Sequence, residues 1–496
     1  MGVAALVAVS WLPVLFGVLT RPAFGWIAAA VLAAAVAYAT TRHPPRVLVA
    51  SLIASSAFVP SGLVTDSTHY LPVAAIAGAV AMRVAFDWRV TQRFVRPPAE
   101  PVALAVALYV GWAAIATIAS IDRRVSAGYW VGMVAVCALA FWVVPRISGA
   151  RHDREFMLAV VGALGVVVAA TVYALSVVGS VTIFGRRVSD YQLVDLTVAG
   201  HPTGFYVGKS AGVFLAPLEP AVIMVMAILA LLGWTAMRRG GWMWAGRAAI
   251  VFIVPATILT LDRSAWLGAI IASGVFAALP SARKAAAVIS ALVCLFFAIF
   301  FVGMLANEVG ANAVATIDCT AGCPAPAPGT DEAALRGGTG LSGRDHLWKA
   351  SFEAIKERPL LGYGPGNNVP AVGPYLTGPN SIYRGLTSHS TWLRTAVEEG
   401  APGLLLLIGV LLTSAWVFLR GPKEPRAPGE RRTGIPDPTK ATLAVSMLGM
   451  LGVMSFESFL LGGVNFSNLY LALATALMLP AMTLRQLRHS GRLRIL

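Results

Sequence analysis

Long apolar runs separated by short polar segments dominate the chain. They lie near residues 3–20, 23–41, 47–63, 70–86, 101–118, 127–145, 156–180, 212–236, 247–261, 264–280, 285–306, 401–419, 441–461 and 465–484. Most reach the length of about 18–20 residues that crosses a bilayer as a helix, so the pattern predicts about 12–14 transmembrane helices. Only helices or closed barrels satisfy the backbone in lipid, and these runs are too long and continuous for barrel strands. The expected fold class is an all-α integral membrane protein.

Composition agrees. The 496 residues are 57% hydrophobic and only 12% charged, against about 25% charged in a soluble domain. The net charge of +15 would suit nucleic acid, but its distribution argues otherwise. With a cytoplasmic N-terminus and alternating spans, the inside loops are 42–46, 87–99, 146–155, 237–247, 281–284, 420–440 and 485–496. These short loops hold about 23 of the 38 Lys and Arg residues, the bias expected of cytoplasmic segments. The first run lacks a basic leader and a cleavage site, so it reads as a retained helix. Four segments follow: N-terminal helices over 1–180, helices over 181–306 with an external loop at 181–211, a large external loop over 307–400, and C-terminal helices with a cytoplasmic tail over 401–496.

Cys137 and Cys294 fall inside apolar runs and read as core residues. Cys319 and Cys323, in "DCTAGCPAPAPG", lie in the large loop and read as a local disulfide. No metal site is expected there, since no histidine or second cysteine pair stands nearby. The stretch "SGRDHLWKASFEAIKER" over 342–358 reads as an amphipathic helix. Ser342 and Asp345 resemble a capping box, Leu347, Trp348, Ser351, Phe352 and Ile355 share a face, and Pro359 ends the helix. "PLLGYGPGNN" then makes a tight turn. Its glycines lack the strand and βαβ unit that a nucleotide site needs.

In "GLTSHSTWLRTAVEEGAPGLLLL" a polar segment runs straight into an apolar one. With Ser388 as N-cap, His389, Trp392, Leu393, Ala396, Val397 and Gly400 fall on one helical face. Arg394 and Glu398 are spaced to pair. A histidine in the first turn of such a helix suits a general base; taken alone, it reads first as a capping or interfacial packing residue, and its cationic neighbours shift the balance. Arg263, Lys209 and Arg344 stand at external membrane edges. Together they suit an anion at that interface, and each singly suits a snorkelling anchor. His201 and His346 are weaker rivals for the base.

These motifs resemble the signature of the O-antigen ligase and Wzy polymerase superfamily. The resemblance rests on "SGRDHLWKASFEAIKERPLLGYGPGN" followed by "HSTWLRTAVEEGAPG", with Arg344, Trp348, Pro359, Gly362, Gly364, Gly366, Asn367, His389, Ser390, Leu393, Glu398, Gly400 and Gly403 at matching positions. "LDRSAWLG" and "KSAGVFLAPLEP" resemble two further family elements. Asp262 replaces a common serine, Lys209 the usual arginine and Leu218 the usual asparagine. The resemblance implies a GT-C-type glycosyltransferase of the inner (plasma) membrane, acting at its external face. The donor would be a glycan on a polyprenyl diphosphate and the acceptor a hydroxyl of a lipid or of another glycan. It implies no cofactor and no metal. His389 would be the base; Arg263, Lys209 and Arg344 would hold the diphosphate; Glu398, Arg394, Trp348, Gly364 and Gly366 would support them.

A transporter or flippase for lipid-linked sugars is the competing class. Transporters place polar sites near the midplane and often show repeated halves. Here the polar residues cluster at one face and no internal repeat is seen. A pure scaffold leaves the His, Arg and Gly pattern unexplained. The topology has a direct test. Reagents outside intact cells should label Thr330→Cys and leave Glu430→Cys untouched; labelling of the second and not the first would overturn the assignment.

Overall fold

The computed structural model describes residues 2–15, 44–58, 71–91, 101–144, 151–178, 180–183, 186–189, 192–198, 201–209, 214, 218–279, 284–319, 344–420, 438–457 and 466–478. Cys323, Ser342, the 420s loop and the C-terminal tail lie outside them, so neither the disulfide nor the capping box falls within the described residues.

The helices are α1 (Gly2–Leu15), α2 (Pro45–Ala57), α3 (Leu71–Thr91), α4 (Pro101–Ile118), α5 (Arg123–Cys137, continued by a π-helical turn to Val143), α6 (Arg151–Val178), α7 (Leu218–Met237), α8 (Gly241–Leu259), α9 (Arg263–Ala278), α10 (Lys284–Cys319), α11 (Arg344–Glu357), α12 (Asn368–Val372), α13 (Thr391–Arg420), α14 (Pro438–Phe456) and α15 (Phe466–Met478). Among the described residues, eight helices are long and apolar enough to cross a membrane, and three shorter ones are apolar as well. This is a multi-pass, helical membrane protein, as the apolar runs predict.

Helix α7 is apolar on every side, and a helix of that kind belongs in the interior. It is buried almost throughout, and α6, α8, α9 and α14 pack around it. A second apolar cluster joins α4 and α5 to the C-terminal half of α13, through Tyr109, Met133 and Leu407 among others. A third, smaller core lies in the large loop, where Leu347, Ala350 and Ala354 of α11 meet Tyr363, Val372, Tyr383 and Val397.

Three local features differ from the sequence reading. In the segment expected as an external loop, the described residues form two antiparallel strand pairs, β1 (Ser180–Ile183) with β2 (Arg186–Ser189) and β3 (Gln192–Val198) with β4 (His201–Lys209). Helix α10 runs on to Cys319, well into the segment expected to be loop. Its 36 residues span about 54 Å at 1.5 Å per residue, more than a hydrocarbon core of about 30 Å. In α11 the buried positions are Leu347, Ala350, Ser351 and Ala354, whereas Phe352 is exposed. The small alanines let α11 lie close to the loop core, which turns the buried face away from Phe352.

Candidate functional site

The apolar run of α13 begins only at Ala401. Gly400 has φ +72° and breaks the helix there, so Thr391–Glu399 is a separate short helix and the expected continuous face stops. The turn after α11 docks on this break. Pro359 O accepts Ala401 N–H at 2.8 Å, Tyr363 N–H donates to Val397 O at 3.0 Å, and Gly364 N–H donates to Glu398 O at 2.7 Å.

Glu398 is fully buried and holds this turn together. Its carboxylate accepts Gly366 N–H at 2.8 Å, Asn368 N–H at 3.2 Å and Arg394 Nε–H at 2.8 Å. Arg394 also lies over the Tyr129 ring, 6.0 Å from its centroid. The glycines are required by space as well as by conformation. Gly366 has φ +82° and a Cβ there would sit 2.3 Å from the Tyr129 ring; Gly364 has φ +93° and would meet Ser120 Oγ at 2.3 Å. The α4–α5 turn thus forms a floor for the loop, and Asn367 Nδ2–H donates to Ser120 and Ser126 at 2.9 and 2.8 Å. Farther out, the Tyr375 hydroxyl donates to Glu357. That bond holds the Glu357 carboxyl below the usual carboxylate range and pushes the Tyr375 phenol up.

His389 is not in the first turn of a helix. It lies two residues ahead of Thr391 with φ +44°, and Ser390 O accepts the first intrahelical bond, from Arg394 N–H at 2.9 Å. Ser388, expected as the cap, is instead bound by the loop. Its N–H donates to Asn368 Oδ1 at 2.8 Å, its hydroxyl meets Ser351 Oγ at 2.8 Å, and its carbonyl accepts Trp348 Nε1–H at 3.0 Å. A left-handed non-glycine residue costs about 1–3 kcal/mol and persists only where its surroundings hold it. Here Trp348, Ser351 and Asn368 hold the residue just before it.

The side chain of His389 meets a residue that sequence reasoning missed. Nδ1 stands 3.2 Å from Glu457 Oε2, while Arg344 Nη2 stands 2.5 Å from Glu457 Oε1. Thr391 Oγ1–H donates to Glu457 O at 2.7 Å, and Trp392 Nε1–H to Ser455 Oγ at 3.2 Å. Glu457 is buried, but His389 keeps 32% of its side chain exposed. One signal for Glu457 was present: a lone carboxylate inside the apolar run 441–461, where ionisable residues mark functional sites.

Arg263 opens α9 beside its N-cap Asp262, whose Oδ1 accepts Ala265 N–H at 2.9 Å. Glu219, in the first turn of α7, lies within electrostatic range of both Asp262 and Glu457. Its Oε2 is buried with no hydrogen-bond partner among the described residues. The start of α7, the α8–α9 turn, the end of α14 and His389 therefore share one end of the bundle. Lys209 ends β4, nine residues before α7. Of the rival histidines, His346 stacks on Tyr383 at 5.6 Å, and His201 begins β4.

Residues 248–408 match the family model for O-antigen ligase. The match supports membership of the O-antigen ligase and Wzy polymerase superfamily. It therefore supports an activity of ligase or polymerase type, with lipid-linked glycans as substrates in a membrane setting. It contains Arg263, Arg344, Trp348, Gly364, Gly366, His389, Arg394 and Glu398, while Lys209 and Glu457 lie outside it. No curated protein matches the chain.

The Glu398 network has a clear consequence. Glu398→Ala would take from the buried Arg394 its carboxylate partner and free two loop amides, a loss of about 3–5 kcal/mol. The variant should melt earlier in detergent and expose the 358–368 turn to protease. Wild-type melting would show that the network is dispensable.

Proposed function

We propose that the protein is an O-antigen ligase-like glycosyltransferase. It moves a glycan from a polyprenyl diphosphate to an acceptor hydroxyl at the external membrane face. The observation that carries this reading is the bridge made by Glu457 between His389 and Arg344.

An acceptor hydroxyl needs a base as its new bond forms. A neutral His389 that donates Nδ1–H to Glu457 has a lone pair at Nε2, the tautomer a base requires. Nε2 takes the hydroxyl proton, the oxygen attacks the anomeric carbon, and the bond from that carbon to the diphosphate oxygen breaks. The diphosphate leaves with the electron pair, and a single displacement inverts the anomeric centre. Glu457 then stabilises the imidazolium. The negative charge developing on the leaving group falls to Arg263, Lys209 and Arg344, whose guanidinium has five N–H donors and turns Nη2 to Glu457. Glu219, whose Oε2 has no partner among the described residues, offers that oxygen to a sugar hydroxyl at the same end.

A polymerase would run the same step on another lipid-linked repeat unit. Deleting the gene separates the two: full-length lipid-linked polymer would accumulate without a ligase, and single lipid-linked repeats without a polymerase.

The test is glycan transfer by purified protein, using lipid-linked glycan extracted from its own host. His389→Gln should lose about 10²–10⁴-fold in rate, while donor binding and melting temperature hold. Arg263→Ala should lose most activity, and Arg263→Lys should regain part of it, since lysine restores charge without the bidentate fork. Near-normal transfer by a folded His389→Gln protein would reject the base, and wild-type turnover by Arg263→Ala would reject the clamp.

A further inference from the structure

Helix α7 starts at the His389 end and runs for 20 residues, about 30 Å at 1.5 Å per residue, which matches a hydrocarbon core. The turn from α7 to α8 therefore lies at the opposite membrane face. There "WTAMRRGGWMWAGR" gathers three arginines and three tryptophans within 14 residues.

Their arrangement is specific. Arg238 lies 5.5 Å from the centroid of Trp234, and Trp234 meets Trp242 edge to face at 6.3 Å. Arg247 lies 4.7 Å from the centroid of Trp244. Trp242 and Trp244 are 71% and 63% exposed, far more than rings that serve a protein core. Helix α8 is held close to α7 at this point, because a Cβ on Gly246 would sit 2.4 Å from Thr235 Cγ2. The charges are not balanced locally. Glu155 pairs with Arg238 at 3.1 Å and also with Arg151 at 3.1 Å. Arg239 is exposed, and Arg247 Nε is buried with no hydrogen-bond partner among the described residues. Stacking on Trp244 thus orients the Arg247 guanidinium and leaves donors for a ligand.

We propose that this cluster binds the phosphate headgroup of an anionic phospholipid. The arginines supply charge and N–H donors for the phosphate oxygens. Exposed tryptophan rings settle at headgroup depth with their apolar bodies toward the acyl chains. A surface that merely anchors the helix ends would need no guanidinium stacked on an exposed ring with an unbonded Nε.

The experiment uses full-length protein in detergent, equilibrated with equal amounts of phosphatidylglycerol and phosphatidylcholine and read by native mass spectrometry. Phosphatidylglycerol should be retained preferentially. Each arginine contributes about fivefold near a charged headgroup, so Arg239→Gln/Arg247→Gln should lower that retention at least about tenfold. If the double variant does not fold, Arg239→Gln alone, at an exposed position, should lower it about fivefold. Equal retention of the two lipids, or retention unchanged in a folded variant, would overturn the proposal. Displacement of the lipid by millimolar inorganic phosphate would also overturn it, by making this a free-anion site.

Discussion

A carboxylate taken out of water must find a cation or hydrogen-bond donors, and Glu457 finds both at the end of an apolar helix. One oxygen meets Arg344, which opens the large loop's first described helix, and the other meets His389, which precedes the break into the membrane run of α13. Three segments distant in sequence are thereby fixed at one point. In the proposed reaction the carboxylate also links architecture to chemistry, because the residue that ties Arg344 of the loop to the end of α14 is the one that orients the imidazole.

A second buried carboxylate does different work. Glu398 gathers two loop amides and Arg394, and so shapes the turn around Gly364 and Gly366. Its partners lie within the loop and α13, and none is His389. In the proposed reaction, shape and proton transfer thus fall to separate acids. Losing Glu398 should unmake the 358–368 turn, whereas losing Glu457 should leave that turn folded with a misdirected histidine.

Most helices were legible because a membrane span is written locally, as an unbroken apolar run. Arg394 and Glu398 were legible as an i, i+4 pair, and the loop helix as an amphipathic period. Glu457 was not, because its partners are 68 and 113 residues away and no local period records them. Ser388 looked like a cap because serine caps helices well. Tertiary bonds from Asn368, Ser351 and Trp348 claimed it instead, and the helix start moved to Ser390 and Thr391. Phe352 looked buried by spacing alone, yet small alanines set the packed face of α11. In each case a long-range partner decided what local pattern left open.

In the proposed mechanism Glu457 fixes His389 with its proton on Nδ1 and its lone pair on Nε2. The direct measurement is ¹⁵N NMR of histidine-labelled protein, with His389 assigned by difference from the His389→Gln variant and the ring observed in its neutral form. The wild type should show a protonated Nδ1 and a bare Nε2, and Glu457→Gln should lose that preference. A wild-type ring protonated on Nε2, or a spectrum unaffected by Glu457→Gln, would contradict it.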